Sequence, residues 1–456
     1  MTNESTATSA AGGLDVAVIG TGYVGTVAAV AFATLGHRVV GIESDPAKLA
    51  ALRAGSVPFF EPGLGEFLTE AVGSGRLTFT DDLAAGVAPA DVVFICVQTP
   101  PGEDGRPDLT ALRDASMAVA AAATGRTVVI TKSTVPIGWG AELRRIVGAV
   151  GSAADTAVVS NPEFLREGSA VNDFLYPDRV VLGGEGPAEL AVVTELYRPI
   201  IEQSFPAGRP ELEPVMVVTD TATAETIKYA ANGFLATKIA FINEIARICD
   251  QAGADVLTVA DAMGLDHRIE RRFLGAGIGY GGSCFSKDLE ALSWFGDDHR
   301  IDLPILGSVN RSNAAQRATV VDKLRTGLGN LSGRRIALLG LAYKADTDDL
   351  RDAPAITIAR SAIDDGATVT AYDPVVRTVA ALPDVTIADD AYEAVAGADA
   401  VVLVTEWREF ADLDLAAVAA VMAGDLVVDG RNWLDPLKVT AVGLRYVGMG
   451  RSAAAG

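Results

Sequence analysis

The segment Leu14 to Gly20 (LDVAVIG) is short, apolar and β-branched, and it runs directly into a Gly-x-Gly-x-x-Gly pattern at Gly20, Gly22 and Gly25, followed by an alanine-rich helical stretch to Leu35. This order narrows the possible folds more than any other feature of the chain. A buried parallel strand that turns sharply into a helix brings backbone amides and the positive end of the helix dipole to one point, which suits a pyrophosphate. Gly20 makes the tight turn, Gly22 leaves room for phosphates to approach the backbone, and Gly25 lets helix and strand pack closely. A second strand, Arg38 to Ile42, ends at Glu43, 18 residues beyond Gly25. A carboxylate there accepts the ribose hydroxyls of a dinucleotide and repels a 2′-phosphate, so the pattern predicts NAD rather than NADP.

Further apolar strands at Val92 to Val97 and Thr127 to Ile130 alternate with helical stretches, as in a doubly wound α/β lobe. After Gly333 the pattern returns. Arg335 to Gly340 (RIALLG) echoes Val16 to Gly20, the step from Gly366 to Asp373 echoes that from Gly36 to Glu43, and Ala398-Asp399 echoes Ala90-Asp91. The second copy carries Leu341-Ala342-Tyr343-Lys344 in place of the phosphate turn and so lacks the glycines that admit a pyrophosphate. Between the copies, Ala222 to Asp250 has long helical spacing. The expected architecture is therefore α/β, with two Rossmann-like doubly wound parallel-sheet domains joined by a central helical dimerisation segment. The expected divisions are a flexible tail at 1–13, a first lobe at 14–210, the helical segment at 211–311 and a second lobe at 312–456. A chain of 456 residues accommodates that many units at roughly 150 residues per domain.

The 49% apolar content excludes disorder for the bulk of the chain, and a formal net charge of -22 has the wrong sign for nucleic acid or an anionic membrane. Met1 to Gly13 lacks the basic and apolar regions of a signal peptide, and there is no apolar run near 18 residues, so a cytoplasmic protein is expected. Cys96, Cys249 and Cys284 are too scattered for a disulfide framework or a metal site. Cys96, inside a strand, and Cys249, on a helix, read as buried hydrophobes. Cys284 differs: it follows a glycine-rich run from Phe273, sits at a helix start and has Lys287 nearby, which are features that favour a thiolate nucleophile. His37, His267 and His299 read as structural or solvated.

Seven motifs in order, GTGYVG at 20–25, VQTP at 97–100, KSTVP at 132–136, NPEFLREG at 161–168, KYAAN at 228–232, GGSCFSKD at 281–288 and YKADTDDLRD at 343–352, resemble the UDP-glucose/GDP-mannose dehydrogenase family of nucleotide-sugar dehydrogenases over roughly residues 14–450. The resemblance implies a homo-oligomeric enzyme that oxidises the 6-hydroxyl of UDP-glucose to a carboxylate with two NAD molecules, by way of an aldehyde and then a thiohemiacetal and thioester on Cys284. An aldehyde must gain a tetrahedral carbon bearing hydrogen before it can lose a second hydride, which accounts for a cysteine in a dehydrogenase.

By the same resemblance Lys228 and Asn232 stabilise the oxyanion, Asp288 and Thr134 hold a water or move protons, and Glu163 acts on the water that hydrolyses the thioester. Tyr23, Val24, Lys48, Thr99, Glu167, Lys287 and Arg351 match cofactor-side positions. Phe164, Leu165, Arg166, Arg268, Phe273, Gly281, Tyr343, Lys344 and Arg431 match substrate-side positions, with Arg268 reaching the substrate of a neighbouring subunit. Two departures stand out: Ser286 replaces a usual proline, and Glu43 replaces the commoner aspartate. Oxidation of GDP-mannose or a UDP-N-acetylhexosamine is the nearest alternative. A single-step 3-hydroxyacid dehydrogenase is a more distant one, since it would need neither Cys284 nor the second lobe. Phosphorylated ligands are compatible with the acidic chain because the implied contacts are local and salt screens the global field over about 8 Å.

Overall fold

The computed structural model describes residues 13–102, 105–150 and 156–451, so the expected tail lies outside the described residues except for Gly13. The chain forms two compact units that divide between Tyr229 and Ala230.

The first unit is built on eight strands: β1 (Asp15–Ile19), β2 (Arg38–Ile42), β3 (Leu77–Thr80), β4 (Val92–Ile95), β5 (Val128–Thr131), β6 (Ala157–Ser160), β7 (Arg179–Gly183) and β8 (Val215–Thr219). Their order is β3-β2-β1-β4-β5-β6-β7-β8, with every neighbouring pair parallel except β6 and β7. The order reverses at β1, and such a reversal opens a crevice at the carboxyl ends of the strands. The turn Gly20 to Gly25 leaves β1 at that point. Alternate residues of each central strand feed opposite cores: Val16, Val18 and Phe94 pack with Phe32 of the helix Tyr23–Thr34, while Ala17, Ile19, Val93 and Ile95 pack with Leu112 and Trp139. Burial on both faces is why these strands read as continuous apolar runs. The helix Tyr23–Thr34 is buried along Gly25 to Ala33, which its alanines permit. The last strand, β8, lies past residue 210, where the sequence reading ends the first lobe.

The second unit contains β9 (Arg335–Leu339), β10 (Thr368–Tyr372), β11 (Thr386–Ile387), β12 (Ala400–Leu403), β13 (Leu426–Asp429) and β14 (Arg445–Gly448). They form an all-parallel sheet in the order β11-β10-β9-β12-β13-β14. Reversal at β9 repeats the reversal at β1, so the sequence echo is a topological one. Before this sheet come the long helix Thr221–Ala252, which spans the division between the units, and the helices Val256–Gly264, Phe285–His299 and Pro304–Leu328. Among the described residues no helix is long and apolar enough to cross a membrane.

Candidate active site

At the end of β1, Gly20 adopts φ +83°, and a Cβ on Gly25 would lie 1.9 Å from the Gly20 carbonyl oxygen. Both positions therefore require glycine. A Cβ on Gly22 would meet nothing within 4 Å, so that glycine guards open space over the helix N-terminus, as a ligand pyrophosphate requires. Glu43 is buried; its Oε2 accepts from Thr21 Oγ1 (2.9 Å) and its Oε1 from the Asp45 amide (2.9 Å). One donor on each oxygen orients the carboxylate and leaves acceptor capacity for ribose hydroxyls. These residues fit NAD.

Other cofactor-side residues are held by the protein itself. The Tyr23 hydroxyl donates to Glu61, and Glu61 also accepts from the amides of Gly168 (2.6 Å) and Ala170 (2.7 Å). Burial first, and then the Glu61 carboxylate, push the Tyr23 phenol far above its ordinary range, so Tyr23 is a neutral tether to the 161–168 loop. Val24 is half-buried. Lys48 lies in the first turn of the helix Pro46–Arg53, whose cap Asp45 accepts from the amides of Ala47 and Lys48. Thr99 is buried and donates to the Thr134 carbonyl oxygen at 2.8 Å. Glu167, in the same loop, is buried.

In the first unit Lys228 Nζ pairs with Glu163 Oε1 at 2.9 Å, and both side chains are more than nine-tenths buried. Glu163 Oε2 accepts from the Leu165 amide at 2.6 Å. Burial works to raise the Glu163 pKa, but the Lys228 charge and hydrogen bond, the Leu165 amide and the Lys132 charge outweigh it, and the carboxyl is held below its usual range. A buried carboxylate kept ionised in this way is a proton acceptor. Phe164 covers the pair, with Lys228 Nζ 5.6 Å and the Arg179 guanidinium 3.8 Å from its ring centre. Thr134 shares a small cavity with Lys228, Pro162, Ser160 and Glu225. Sequence reasoning missed Glu225, whose carboxylate accepts from the Gly138 and Gly140 amides (2.7 and 2.8 Å) and from Ser160 Oγ (3.0 Å). It fixes the stretch after Thr134 to the long helix.

In the second unit Cys284 is exposed at the N-cap of the helix Phe285–His299. Asp288, one turn on, is almost wholly buried; its Oδ2 accepts from Asn232 Nδ2 at 2.6 Å and its Oδ1 lies 3.0 Å from Lys287 Nζ. The glycines before Cys284 permit close packing: a Cβ on Gly281 would come within 2.5 Å of the Asp352 carbonyl oxygen, and one on Gly282 within 2.8 Å of the Tyr343 ring. Ser286 donates to Asp352 Oδ2 (2.7 Å), and Arg317 holds Asp352 Oδ1 (2.6 Å). The serine thus gives this helix entry a side-chain anchor. Phe273 is the other marked residue of the loop, with φ +63°.

All four arginines named as ligand contacts are paired with carboxylates: Arg166 with Asp173, Arg268 with Asp266, Arg351 with Asp349 and Arg431 with Glu406. Arg431 is the most committed, donating also to the carbonyl oxygens of Val404 (2.7 Å) and Tyr343 (2.6 Å). Lys344 Nζ lies 5.9 Å from the Tyr343 ring centre. Cys96 and Cys249 are buried, and burial pushes the Cys96 thiol up to about 12. His37 is buried and accepts from the Leu14 amide at 3.2 Å, a structural role.

Profiles of three domains of the UDP-glucose/GDP-mannose dehydrogenase family match the chain: the NAD-binding domain over residues 14–201, the central domain over 222–315 and the UDP-binding domain over 337–436. The chain belongs to this family. It is an NAD-dependent oxidoreductase. It is 45% identical over 448 residues to a UDP-glucose 6-dehydrogenase of Rhizobium meliloti, covering 96% of this chain and 100% of that one. It is 42% identical to the UDP-glucose 6-dehydrogenase of Pseudomonas aeruginosa, covering 96% and 97% of the two chains. Among solved structures, a UDP-glucose dehydrogenase of Pyrobaculum islandicum superposes with a TM-score of 0.88 at 36% identity, over 97% of this chain and 99% of that one.

Proposed function

We propose that this dehydrogenase oxidises UDP-glucose to UDP-glucuronate in two successive two-electron steps. The observation that carries the reading is an exposed thiol, Cys284, at the start of a helix whose Asp288 is buried and bound by Asn232. A nucleophile placed beside a buried, oriented carboxylate is what an aldehyde-to-acid oxidation needs and a simple alcohol oxidation does not. The choice of sugar rests on similarity: relatives named UDP-glucose 6-dehydrogenase reach 45% identity, whereas a UDP-D-ManNAc dehydrogenase structure stands at 29% and a GDP-mannose dehydrogenase structure at 28%.

NAD, held at the Gly20–Gly25 turn and by Glu43, would supply the hydride acceptor for both oxidations. The chain's own groups do the rest. The Cys284 thiolate adds to the aldehyde carbon, forming the C–S bond, and the carbonyl electron pair moves to oxygen. Lys228 and Asn232 stabilise that oxyanion. In hydrolysis Glu163 takes a proton from the water that attacks the thioester, Thr134 holds that water, and the C–S bond breaks to release the Cys284 thiolate. Asp288 orients Asn232 and carries protons. Residues 14–210 hold NAD through Glu43, Lys48, Thr99 and Glu167, and Lys287 and Arg351 complete the cofactor side. Residues 312–456 hold the UDP-sugar through Tyr343, Lys344 and Arg431, with Phe164, Leu165, Arg166, Phe273 and Gly281 around the sugar.

The segment 211–311 joins two copies of the chain and contributes Arg268 to the partner's substrate. Phe234, Phe241 and Ile248, at seven-residue spacing on the long helix, are 66%, 46% and 60% exposed, an apolar stripe that a second copy would cover. The enzyme works in the cytoplasm, without nucleic acid or membrane partners.

NADH release measured across UDP-glucose, GDP-mannose and UDP-N-acetylhexosamines tests the reading. Two NADH per UDP-glucose are expected, with no net acid from Cys284→Ala; turnover of GDP-mannose alone, or one NADH per sugar unchanged by that substitution, overturns it.

A further inference from the structure

The mechanism above leaves one buried charged group without a task. Lys132 follows β5 directly and is 4% exposed. Its Nζ donates to Asn161 Oδ1 (3.0 Å) and to the Tyr197 hydroxyl (3.3 Å), and it lies 5.3 Å from the Phe174 ring centre. Among the described residues no carboxylate comes within 4.0 Å of it. An ammonium buried without a direct counter-ion is costly, and a methionine of similar length would fill the same space at less expense.

The groups around it show what the charge serves. Asn161 is held at both ends of its amide: Oδ1 accepts from Lys132 and from Tyr197 (2.6 Å), while Nδ2 donates to the Val181 carbonyl oxygen (2.9 Å). Two residues on, across Pro162, stands Glu163. We propose that Lys132 is a positioning residue for Glu163, its ammonium holding the Asn161-Pro162-Glu163 turn and supplying, together with Lys228, the positive field that keeps this carboxylate ready to accept a proton.

The facing charges agree with that role. Burial lowers the Lys132 pKa to about 8, Cys96 and Glu163 act to raise it, and Lys228 acts to lower it; the ammonium is the prevailing form at neutral pH. Lys132 also acts on Glu163 in the direction that favours the carboxylate. Two cations thus flank one buried carboxylate, and only Lys228 bonds to it.

The proposal rests on the reading of Glu163 as the hydrolytic base, so the test includes that residue. Lys132→Met removes charge and donor; Lys132→Gln keeps a donor for Asn161 without charge; Glu163→Gln is the reference. Each full-length variant is checked for folding by thermal melting, mixed with UDP-glucose and NAD, and followed by intact mass for a sugar adduct on Cys284 and by the pH profile of adduct decay. Both Lys132 variants are expected to accumulate the adduct, to lower kcat by about tenfold or more, and to move the acid limb of decay to higher pH, with KM for UDP-glucose within about twofold. Wild-type decay in Lys132→Gln overturns the charge role. No adduct in either Lys132 variant, while Glu163→Gln accumulates it, overturns the proposal and leaves Glu163 standing. No adduct in Glu163→Gln overturns the reading beneath it. Should Lys132→Met fail to fold, Lys132→Gln decides alone.

Discussion

The two lobes share a strand order and part company at the carboxylate that ends their second strand. In the first lobe Glu43 has one donor on each oxygen, from Thr21 and Asp45. In the second, Asp373 is fully buried and accepts from the amides of Leu341, Ala342, Val375 and Val376 and from Trp407 Nε1. A helix begins at Tyr23, three residues after Gly20, but only at Pro354 after Gly340. One copy kept the helix N-terminus and a carboxylate with spare lone pairs; the other used its carboxylate to knit the turn shut. Shared topology therefore does not make both crevices dinucleotide sites. Substitution at the two carboxylates breaks the comparison most forcefully. Asp373→Ala orphans five donors, four of them buried, and is expected to destabilise the chain by about 4 kcal/mol or more, read as a lowered denaturant midpoint. Glu43→Gln should leave stability within about 1 kcal/mol and raise KM for NAD about tenfold. Equal loss of stability in both variants would mean that Glu43 is as structural as its counterpart.

The glycine turn sharpens the contrast within the first lobe. Gly25→Ala drives a Cβ into the Gly20 carbonyl oxygen, a backbone atom that cannot swing aside, and is expected to cost about 3 kcal/mol. Gly22→Ala meets no protein atom. It should melt like the parent and lose NAD affinity, measured by calorimetry. Unimpaired NAD binding by Gly22→Ala would place the pyrophosphate elsewhere.

The features that a sequence displays well are those made by neighbours. β2 spans Arg38–Ile42 as expected, the long helix covers the expected span with one or two residues more at each end, and the Cys284 helix starts at Phe285. Half of the candidate site was legible because its motifs are contiguous. The other half joins distant residues. Glu225 reaches Gly138 across 87 positions and Glu61 reaches Ala170 across 109, so nothing local marks either as more than a solvated charge. β8 fell outside the first lobe as read from the sequence although Val215 to Val218 is an apolar run; its residues are half-buried or exposed, as at a sheet edge. The pairing of Arg268 with Asp266 and of Arg351 with Asp349 shows in the sequence only as a two-residue spacing, and the ligand role of each arginine comes from the family resemblance.

Acid titration offers the finest test, with an effect expected to be smaller than those above, because each lobe holds a buried carboxyl shifted in the opposite direction. Burial dominates at Asp429 and raises it above its usual 3.8, despite bonds from Leu434, Trp433, Arg431 and Tyr446. At Glu163 the lysines prevail and hold it below its usual 4.5. In the native state Asp429 therefore binds more protons than in the unfolded chain, and its stabilising contribution is present below about 3.8 and lost as pH rises through its folded pKa. Glu163 binds fewer, so its contribution is present above about 4.5 and lost as pH falls through its folded pKa. Denaturant midpoints measured from pH 3 to 7 should show Asp429→Asn removing a component of stability that falls with rising pH, and Glu163→Gln removing one that rises. If both substitutions change the pH dependence in the same sense, the Lys228 pairing does not outweigh burial at Glu163.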